Sequence, residues 1–306
     1  MGRDDRSWND ISRKGRGDHR QEFQGPQHNA WKRARPMKIG FIGVGQMGRP
    51  IADRLAAAGH DVTVLARRPE ARTPSAFAWA DSIAATVGDA DVVFVVVLTD
   101  EQVRSVCLGA DGALAAMKPG ALLVQHTTSN PATAQLIGAE GSSRNVEVLD
   151  AALSGGPQDI VSGRLTLWVG GDDQVLERTR PLLANYASPI IFVGPLGNGQ
   201  RVKLVNNALL VAQAGLAIDA VRLAGSLGIE ETAILAALQH GSGASRALGI
   251  VAGIGSVSRI AGRLGPFMAK DVSVVRAVAQ SEGVDLGLIG TVLSCDVVEK
   301  GVLGSP

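Results

Sequence analysis

Lys38-Ile-Gly-Phe-Ile-Gly43-Val-Gly45-Gln-Met-Gly48-Arg-Pro-Ile-Ala52 is the stretch on which the fold turns. Lys38 to Gly43 is a short apolar run, which predicts a buried strand, and Gln46 to Ala58 reads as a helix. Between them lies G-x-G-x-x-G. A lone match to that pattern says little, but directly after a strand and directly before a helix it predicts a dinucleotide-binding loop over Gly43, Val44, Gly45, Gln46, Met47 and Gly48. Gly43 allows the tight turn, Gly45 lets the backbone approach a pyrophosphate, and Gly48 lets helix and strand pack closely. The helix N-terminus then presents unpaired N–H groups to the anion. The bland alternative is a plain βα turn.

Outward from this stretch the chain continues in βα units. Asp61 to Ala66, Asp91 to Leu98, Ala121 to Gln125, Asn145 to Asp150 and Leu165 to Gly170 read as strands, and Glu101 to Val106 opens a helix. Asp91 to Leu98 is apolar at nearly every position, as a strand covered on both faces should be. The alternation predicts an α/β fold, a Rossmann-type doubly wound parallel sheet. After Gly197 the strand signal stops, and Asn206 to Leu227, Glu231 to Gln239 and Met268 to Ser281 read as helices. The expected domains are therefore a dinucleotide-binding domain over 37–196 and an all-helical substrate and dimerisation domain over 197–306. Residues 1–36 carry nine Lys/Arg and five Asp/Glu with almost no aliphatic side chains. Such a segment cannot bury enough apolar surface to offset its ordering entropy, so a disordered N-terminal extension is expected, with Met37 an alternative start.

Composition narrows the function. Of 306 residues, 45% are hydrophobic and 19% charged, with mean hydropathy +0.15. The net charge of +1 argues against nucleic acid as the main partner. Cys107 and Cys295 give neither a disulfide framework nor metal spacing, which suits a reducing cytoplasm. No apolar run reaches the ~18 residues of a membrane span, so no membrane partner is expected. His60, His126 and His240 have no metal-ligand spacing, and no metal is expected. Ser242 and Ser245 lack a nearby acid or histidine for a hydrolytic triad.

Three further stretches bear chemistry. At the end of the second strand, Leu65-Ala66-Arg67-Arg68-Pro69 offers two arginines where an acid would select NAD. Arginine forks suit a 2′-phosphate, so NADP is favoured over NAD. Gly197-Asn-Gly-Gln-Arg-Val-Lys203-Leu-Val-Asn206-Asn207 reads as the first turns of a long helix, with Asn198 or Gly199 as its cap. Lys203 and Asn207 are four apart and share one face. A lysine there can exchange a proton with a hydroxyl or carbonyl, and the amide can hold the same oxygen. Ser154-Gly155-Gly156, after a strand, forms a loop whose N–H groups can converge on a carboxylate.

Together these pieces resemble the β-hydroxyacid dehydrogenase family, which includes 3-hydroxyisobutyrate dehydrogenase and 2-hydroxy-3-oxopropionate reductase and is related to 6-phosphogluconate dehydrogenase. The resemblance runs from Met37 to about Val298. It rests on Gly43–Gly48, Leu98-Thr99-Asp100, Thr127-Thr128-Ser129-Asn130-Pro131, Asp150–Gly156, Gly163-Arg164-Leu165, Gly197–Asn207 and Lys270-Asp271-Val272. It implies that Lys203 is the catalytic acid/base, that Asn207 orients the substrate, and that Ser154, Gly155 and Gly156 hold a substrate carboxylate. It implies further that Leu98, Thr99, Thr128 and Lys270 lie at the cofactor. The sequence departs from the family pattern at Ala152 and Thr99, where proline is usual, and at Ile160, where alanine is usual.

The implied activity is hydride transfer between a nicotinamide and a small 3-hydroxy acid or semialdehyde acid. One alternative is an imine reductase of similar architecture, against which Lys203 argues. Another is a non-catalytic NADP-binding regulatory protein with a basic tail. The resemblance and the apolar 206–227 segment both predict a homodimer or homotetramer.

Overall fold

In the computed structural model, residues 36–65 and 72–304 are described. The expectations for residues 1–35 and for Arg67 and Arg68 fall outside them.

The sheet has eight strands: β1 (Lys38–Ile42), β2 (Asp61–Leu65), β3 (Ala78–Ala80), β4 (Val92–Val95), β5 (Leu122–Gln125), β6 (Glu147–Ser154), β7 (Leu165–Gly170) and β8 (Ala187–Phe192). Their spatial order is β3-β2-β1-β4-β5-β6-β7-β8. From β3 to β6 every pairing is parallel, and the order reverses at β1 and β4, where the chain winds outward in both directions. That reversal opens the crevice in which doubly wound sheets bind ligands. Helices α1 (Gly48–Ala57), α2 (Ile83–Val87), α3 (Asp100–Cys107), α4 (Ala113–Ala116), α5 (Pro131–Ser143), α6 (Pro157–Val161) and α7 (Asp173–Leu183) link the strands.

The expected all-parallel sheet needs one correction. β7 runs antiparallel to β6, and β8 is parallel to β7, so the sheet is mixed. The link from Ser154 to Leu165 contains only the five-residue α6, too little for the crossover that a parallel neighbour requires. β6 also runs further than expected, which makes Ser154 the last residue of a strand.

After β8 the described chain is helical: α8 (Asn198–Ser226), α9 (Glu231–Leu238), α10 (Arg246–Ile254), α11 (Ile260–Glu282), α12 (Gly287–Leu293) and α13 (Asp296–Gly301). α8 is 29 residues long and, by length and composition, apolar enough to cross a membrane. That overturns the expectation that no segment is. Its buried residues, among them Leu204, Val211, Ala214 and Val221, instead form the core against α9 to α13. The same helix packs on β6 and β7, so it belongs to both halves.

Below the sheet's carboxyl edge, Phe41, Phe94, His126 and Tyr186 form a buried aromatic group. His126 Nδ1 lies 2.5 Å from the Ala151 carbonyl, which can only accept, so Nδ1 carries the proton. Nε2 then accepts from the Tyr186 hydroxyl at 2.9 Å. Burial pushes the imidazole down to about 4, against the pull of its bond to Ala151. The unfolded chain takes up that proton near pH 6.5. Between those values the unfolded state binds more protons, so the contribution of His126 to stability is lost as pH falls from about 6.5 to about 4. Asp150 acts oppositely: burial pushes its carboxyl up to about 6 from 3.8, so its ionisation weakens folding as pH rises across that window. Comparing wild type with His126→Gln isolates the histidine. Their difference in unfolding free energy should grow by on the order of 3 kcal/mol between pH 4 and pH 7. A difference that does not vary with pH would mean that the ring is not held neutral.

Candidate active site

The loops at the carboxyl ends of β1, β4, β5 and β6 form one edge, and α8 begins against it. In the glycine loop, Gly43 has φ +104°, and a side chain there would run into the Val96 carbonyl of the neighbouring loop. A side chain at Gly48 would strike the Gly43 carbonyl. Both glycines are thus dictated by the closeness of strand, loop and helix. Gly45 differs: a Cβ there meets nothing within 4 Å. Its backbone faces open space, as a residue that lets a pyrophosphate approach must. Met47, at the cap of α1, makes no side-chain capping bond. In the first turn the Arg49 N–H donates to the Gly45 carbonyl at 3.0 Å and Pro50 has no N–H, so the Gly48 N–H is the helical donor left for an anion beside the open Gly45 backbone, and the residues present fit a dinucleotide phosphate.

The next two loops are locked to each other. Thr99 caps α3 by accepting from the Gln102 N–H at 3.2 Å. Its hydroxyl is thereby engaged in folding. Asp100 accepts from the Asn130 N–H at 2.9 Å and from the Thr133 hydroxyl at 3.0 Å. Thr127 bridges to both backbone groups of Val97. Thr128 lies half-buried between these anchors. Leu98 is largely exposed, and its carbonyl accepts from Lys270 Nζ at 3.0 Å, a bond from α11 across to the sheet.

The seating of α8 is the strongest feature. Asp150, fully buried on β6, accepts from the Gly197 N–H through Oδ1 (2.7 Å) and from the Gln200 N–H through Oδ2 (2.8 Å). Gly197, with φ +97°, is the cap residue, one position earlier than the sequence suggested. Gly199 is required by contact: a Cβ there would lie 2.6 Å from Asp150 Oδ2 and 2.6 Å from the Trp168 carbonyl. Gln200, also buried, accepts from the Ser129 N–H (2.9 Å) and donates to Gln125 Oε1 (2.9 Å). Gln125 in turn donates to the Thr127 carbonyl and the Ser129 hydroxyl. One buried polar network joins β5, β6, the Thr127–Pro131 loop and the first turn of α8.

That turn presents Lys203. It makes no hydrogen bond among the described residues. Desolvation lowers its pKa from the ordinary lysine value, Asp271 pulls it back up, and Lys270 lowers it further. Asn207, one turn on and buried, donates to Asp271 Oδ2 at 2.5 Å. Asp271 Oδ1 is buried and makes no hydrogen bond among the described residues, though Lys270 Nζ stands 3.2 Å away. Lys203, Asn207, Lys270 and Asp271 therefore form one cluster, with a single carboxylate between two lysines. Asp271 was not anticipated. Its only sequence signal was the Lys270-Asp271 pair, of which the lysine alone was assigned.

At the end of β6 the arrangement departs from expectation. Gly155 has φ +129°, which a side chain would strain. The Gly156 N–H already donates to Asp159 Oδ2 at 2.7 Å, a carboxylate in the first turn of α6 reaching back to the residue that precedes it. Of the loop expected to receive a carboxylate, one donor is taken by the chain's own carboxylate.

Two sequence profiles match successive parts of this chain: the NAD binding domain of 6-phosphogluconate dehydrogenase over residues 38–194, and the NAD-binding region of NADP-dependent 3-hydroxyisobutyrate dehydrogenase over 197–295. The chain belongs to the β-hydroxyacid dehydrogenase family. As its relatives are, it is an NAD(P)-dependent oxidoreductase acting on a CH–OH group. An NAD-dependent L-serine dehydrogenase of Pseudomonas aeruginosa is 32% identical over 255 residues, 80% of this chain and 86% of that one. The structure of Mycobacterium tuberculosis 3-hydroxyisobutyrate dehydrogenase with L-serine superposes with a TM-score of 0.75 at 28% identity, covering 84% of this chain and 91% of that one. Psf3 in complex with NADP+ and 2-OPP superposes with a TM-score of 0.65 at 26% identity, covering 84% and 100%.

Proposed function

We propose that this enzyme interconverts a small 3-hydroxy acid and its semialdehyde, with Lys203 as general acid/base and NADP as the preferred cofactor. The observation that carries the reading is the desolvated Lys203, aimed from an immobilised helix turn beside Asn207 and Asp271. Burial lowers its pKa, so more of it is the neutral amine that can take a hydroxyl proton in oxidation. A nicotinamide held at the Gly43–Gly48 loop would supply the hydride acceptor for oxidation and the hydride donor for reduction. Asn207 Nδ2 is held by Asp271, which fixes the amide's orientation toward the substrate oxygen. Lys270 ties Leu98 to α11 on the cofactor side. The substrate's carboxylate end lies toward Ser154 and Gly155, so that the hydroxyl-bearing carbon faces the ring.

Lys203→Ala should lower turnover by about 100-fold or more, the usual scale of acid/base catalysis, with cofactor affinity nearly unchanged. Asp271→Asn removes the charge that raises the lysine's pKa, so the rising limb of the oxidation pH profile should move to lower pH. Near-normal turnover in Lys203→Ala on a confirmed substrate would remove the lysine from the chemistry. A limb that stays in place in Asp271→Asn would remove the coupling.

The preference for NADP rests on Arg67 and Arg68. Replacing both with Ala should weaken NADP binding by about 1.5–3 kcal/mol, the scale of a lost charge-assisted hydrogen bond, and spare NAD. An equal loss for both cofactors would place the 2′-phosphate elsewhere.

Assembly through a second copy is supported by α8. Val205, Leu209, Leu216, Leu223 and Leu227 are all exposed. Their spacing of four, seven, seven and four residues sets them on one stripe, as in a coiled-coil seam. Light scattering at micromolar concentration should give a dimer or larger, and the pair Leu216→Glu and Leu223→Glu should yield monomers. A monomeric wild type would refute the assembly.

A further inference from the structure

Both oxygens of Asp150 are engaged as acceptors where the helix bearing Lys203 begins. Oδ1 takes the Gly197 N–H at 2.7 Å and Oδ2 takes the Gln200 N–H at 2.8 Å. Lys203 follows three residues after Gln200 in the same helix. It makes no hydrogen bond among the described residues, so its place comes from the turn that carries it.

A neutral carboxyl group is a different partner, because its hydroxyl has to donate. An acceptor for that proton is at hand. Asp150 Oδ2 and the Trp168 carbonyl each lie 2.6 Å from one point, the position a Cβ on Gly199 would occupy. A protonated Oδ2 that turns toward Trp168 releases the Gln200 N–H. The backbone at Gly170 and Gly199 presses on the carboxyl from two sides, so this turn moves the helix start with it.

We propose that Asp150 is a positioning residue whose ionised form holds Lys203 at the reacting oxygen, and that protonating it slows the reaction in both directions while the fold persists. This rests on the dehydrogenase reading above.

Burial raises the carboxyl, and the N–H groups of Gly197, Gln200 and Gly199 pull it back, which leaves it at about 6. The charged groups around it are few or already paired. β5 and β7 carry none. On the face that Asp150 shares, α5 brings Glu140, paired with Arg144 at 3.5 Å, and the start of α8 brings Arg201, paired with Glu282 at 3.0 Å, and Lys203 itself. His126, after β5, is bonded to the Ala151 carbonyl and the Tyr186 hydroxyl and is neutral above about 4. Since burial favours the neutral form of Asp150, acid acts through it on the helix start and not on folding as a whole.

Reduction separates the two groups. There Lys203 has to donate, so acid favours its working form, and Asp150 alone of the pair calls for neutral pH. With 3-oxopropanoate and reduced cofactor saturating, turnover of the full chain should fall about ten-fold from pH 7 to pH 5. Asp150→Asn, with one acceptor oxygen in place of two, should show that low turnover already at pH 7 and no further acid loss, with cofactor affinity unchanged. In oxidation of 3-hydroxypropanoate the acid side should be steeper in wild type than in Asp150→Asn. His126→Gln should keep the wild-type profile. Amide hydrogen exchange needs no substrate: over residues 197–203, Asp150→Asn should exchange about ten-fold faster than wild type at pH 7, with β1 unchanged. Wild type at pH 5, corrected for the intrinsic rate, should match it, a comparison that holds even if the variant does not fold. Reduction that is flat or faster toward pH 5, an acid loss that disappears in His126→Gln, or unaltered exchange overturns the proposal and leaves the dehydrogenase reading standing. A wild type that turns over neither acid counts against that reading, and the exchange rates then uphold or overturn the anchor alone.

Discussion

The carboxylate of Asp150, buried between β6 and the first turn of α8, is the interaction on which the rest depends. It takes two backbone donors that a helix start otherwise leaves unpaired. It also places a negative charge at the positive end of a 29-residue helix. Burial opposes this ionisation and the backbone N–H groups favour it, which leaves the group poised near 6. The closeness has a steric signature on both sides. A Cβ at Gly170 on β7 would crowd Asp150 and the Pro195 carbonyl, and one at Gly199 would crowd Asp150 and the Trp168 carbonyl. Gln200 and Gln125 extend the contact to the loop after β5, so Lys203 stands three residues from a fully bonded anchor. A side chain placed this way inherits its position from backbone hydrogen bonds.

Around Lys203 the charge is deliberately unbalanced. One carboxylate, Asp271, serves Lys203 and Lys270 and also accepts from Asn207. Full neutralisation of Lys203 would hold its proton firmly, and bare burial would drive it off altogether. The intermediate arrangement suits a group that has to move a proton in both directions. Lys270 is drawn off toward the Leu98 carbonyl, which keeps the two ammonium groups from competing for one position.

Much of this was legible in the sequence, for reasons particular to each element. The β1–loop–α1 unit announced itself because a change of hydrophobic period coincides with three glycines. Lys203 and Asn207 share a face by helical spacing alone. The antiparallel β7 was not legible, because direction depends on how short the preceding connection is and not on the strand's own residues. β8 was missed because Ala187-Ser-Pro-Ile-Ile-Phe192 contains a proline and only a short apolar run. Asp271 lies 64 residues from Asn207, and nothing in a local pattern joins them. The bond from the Gly156 N–H to Asp159 was hidden because an acid three residues on does not show in one dimension which backbone donor it takes. Asp150, by contrast, left a signal that could have been used: an acid inside an apolar strand has to find donors.

Because α8 is pinned at its start to β5 and β6, it behaves mechanically as a ninth rib of the sheet. The place where strands give way to helices is therefore not a line of weakness. Asn207 on that rib bonds Asp271 of α11, and Lys270 of the same helix reaches the Leu98 carbonyl beyond β4. The helical shell is thus fastened to the nucleotide-binding half at the cluster around Lys203, and a change at either contact is felt at that lysine.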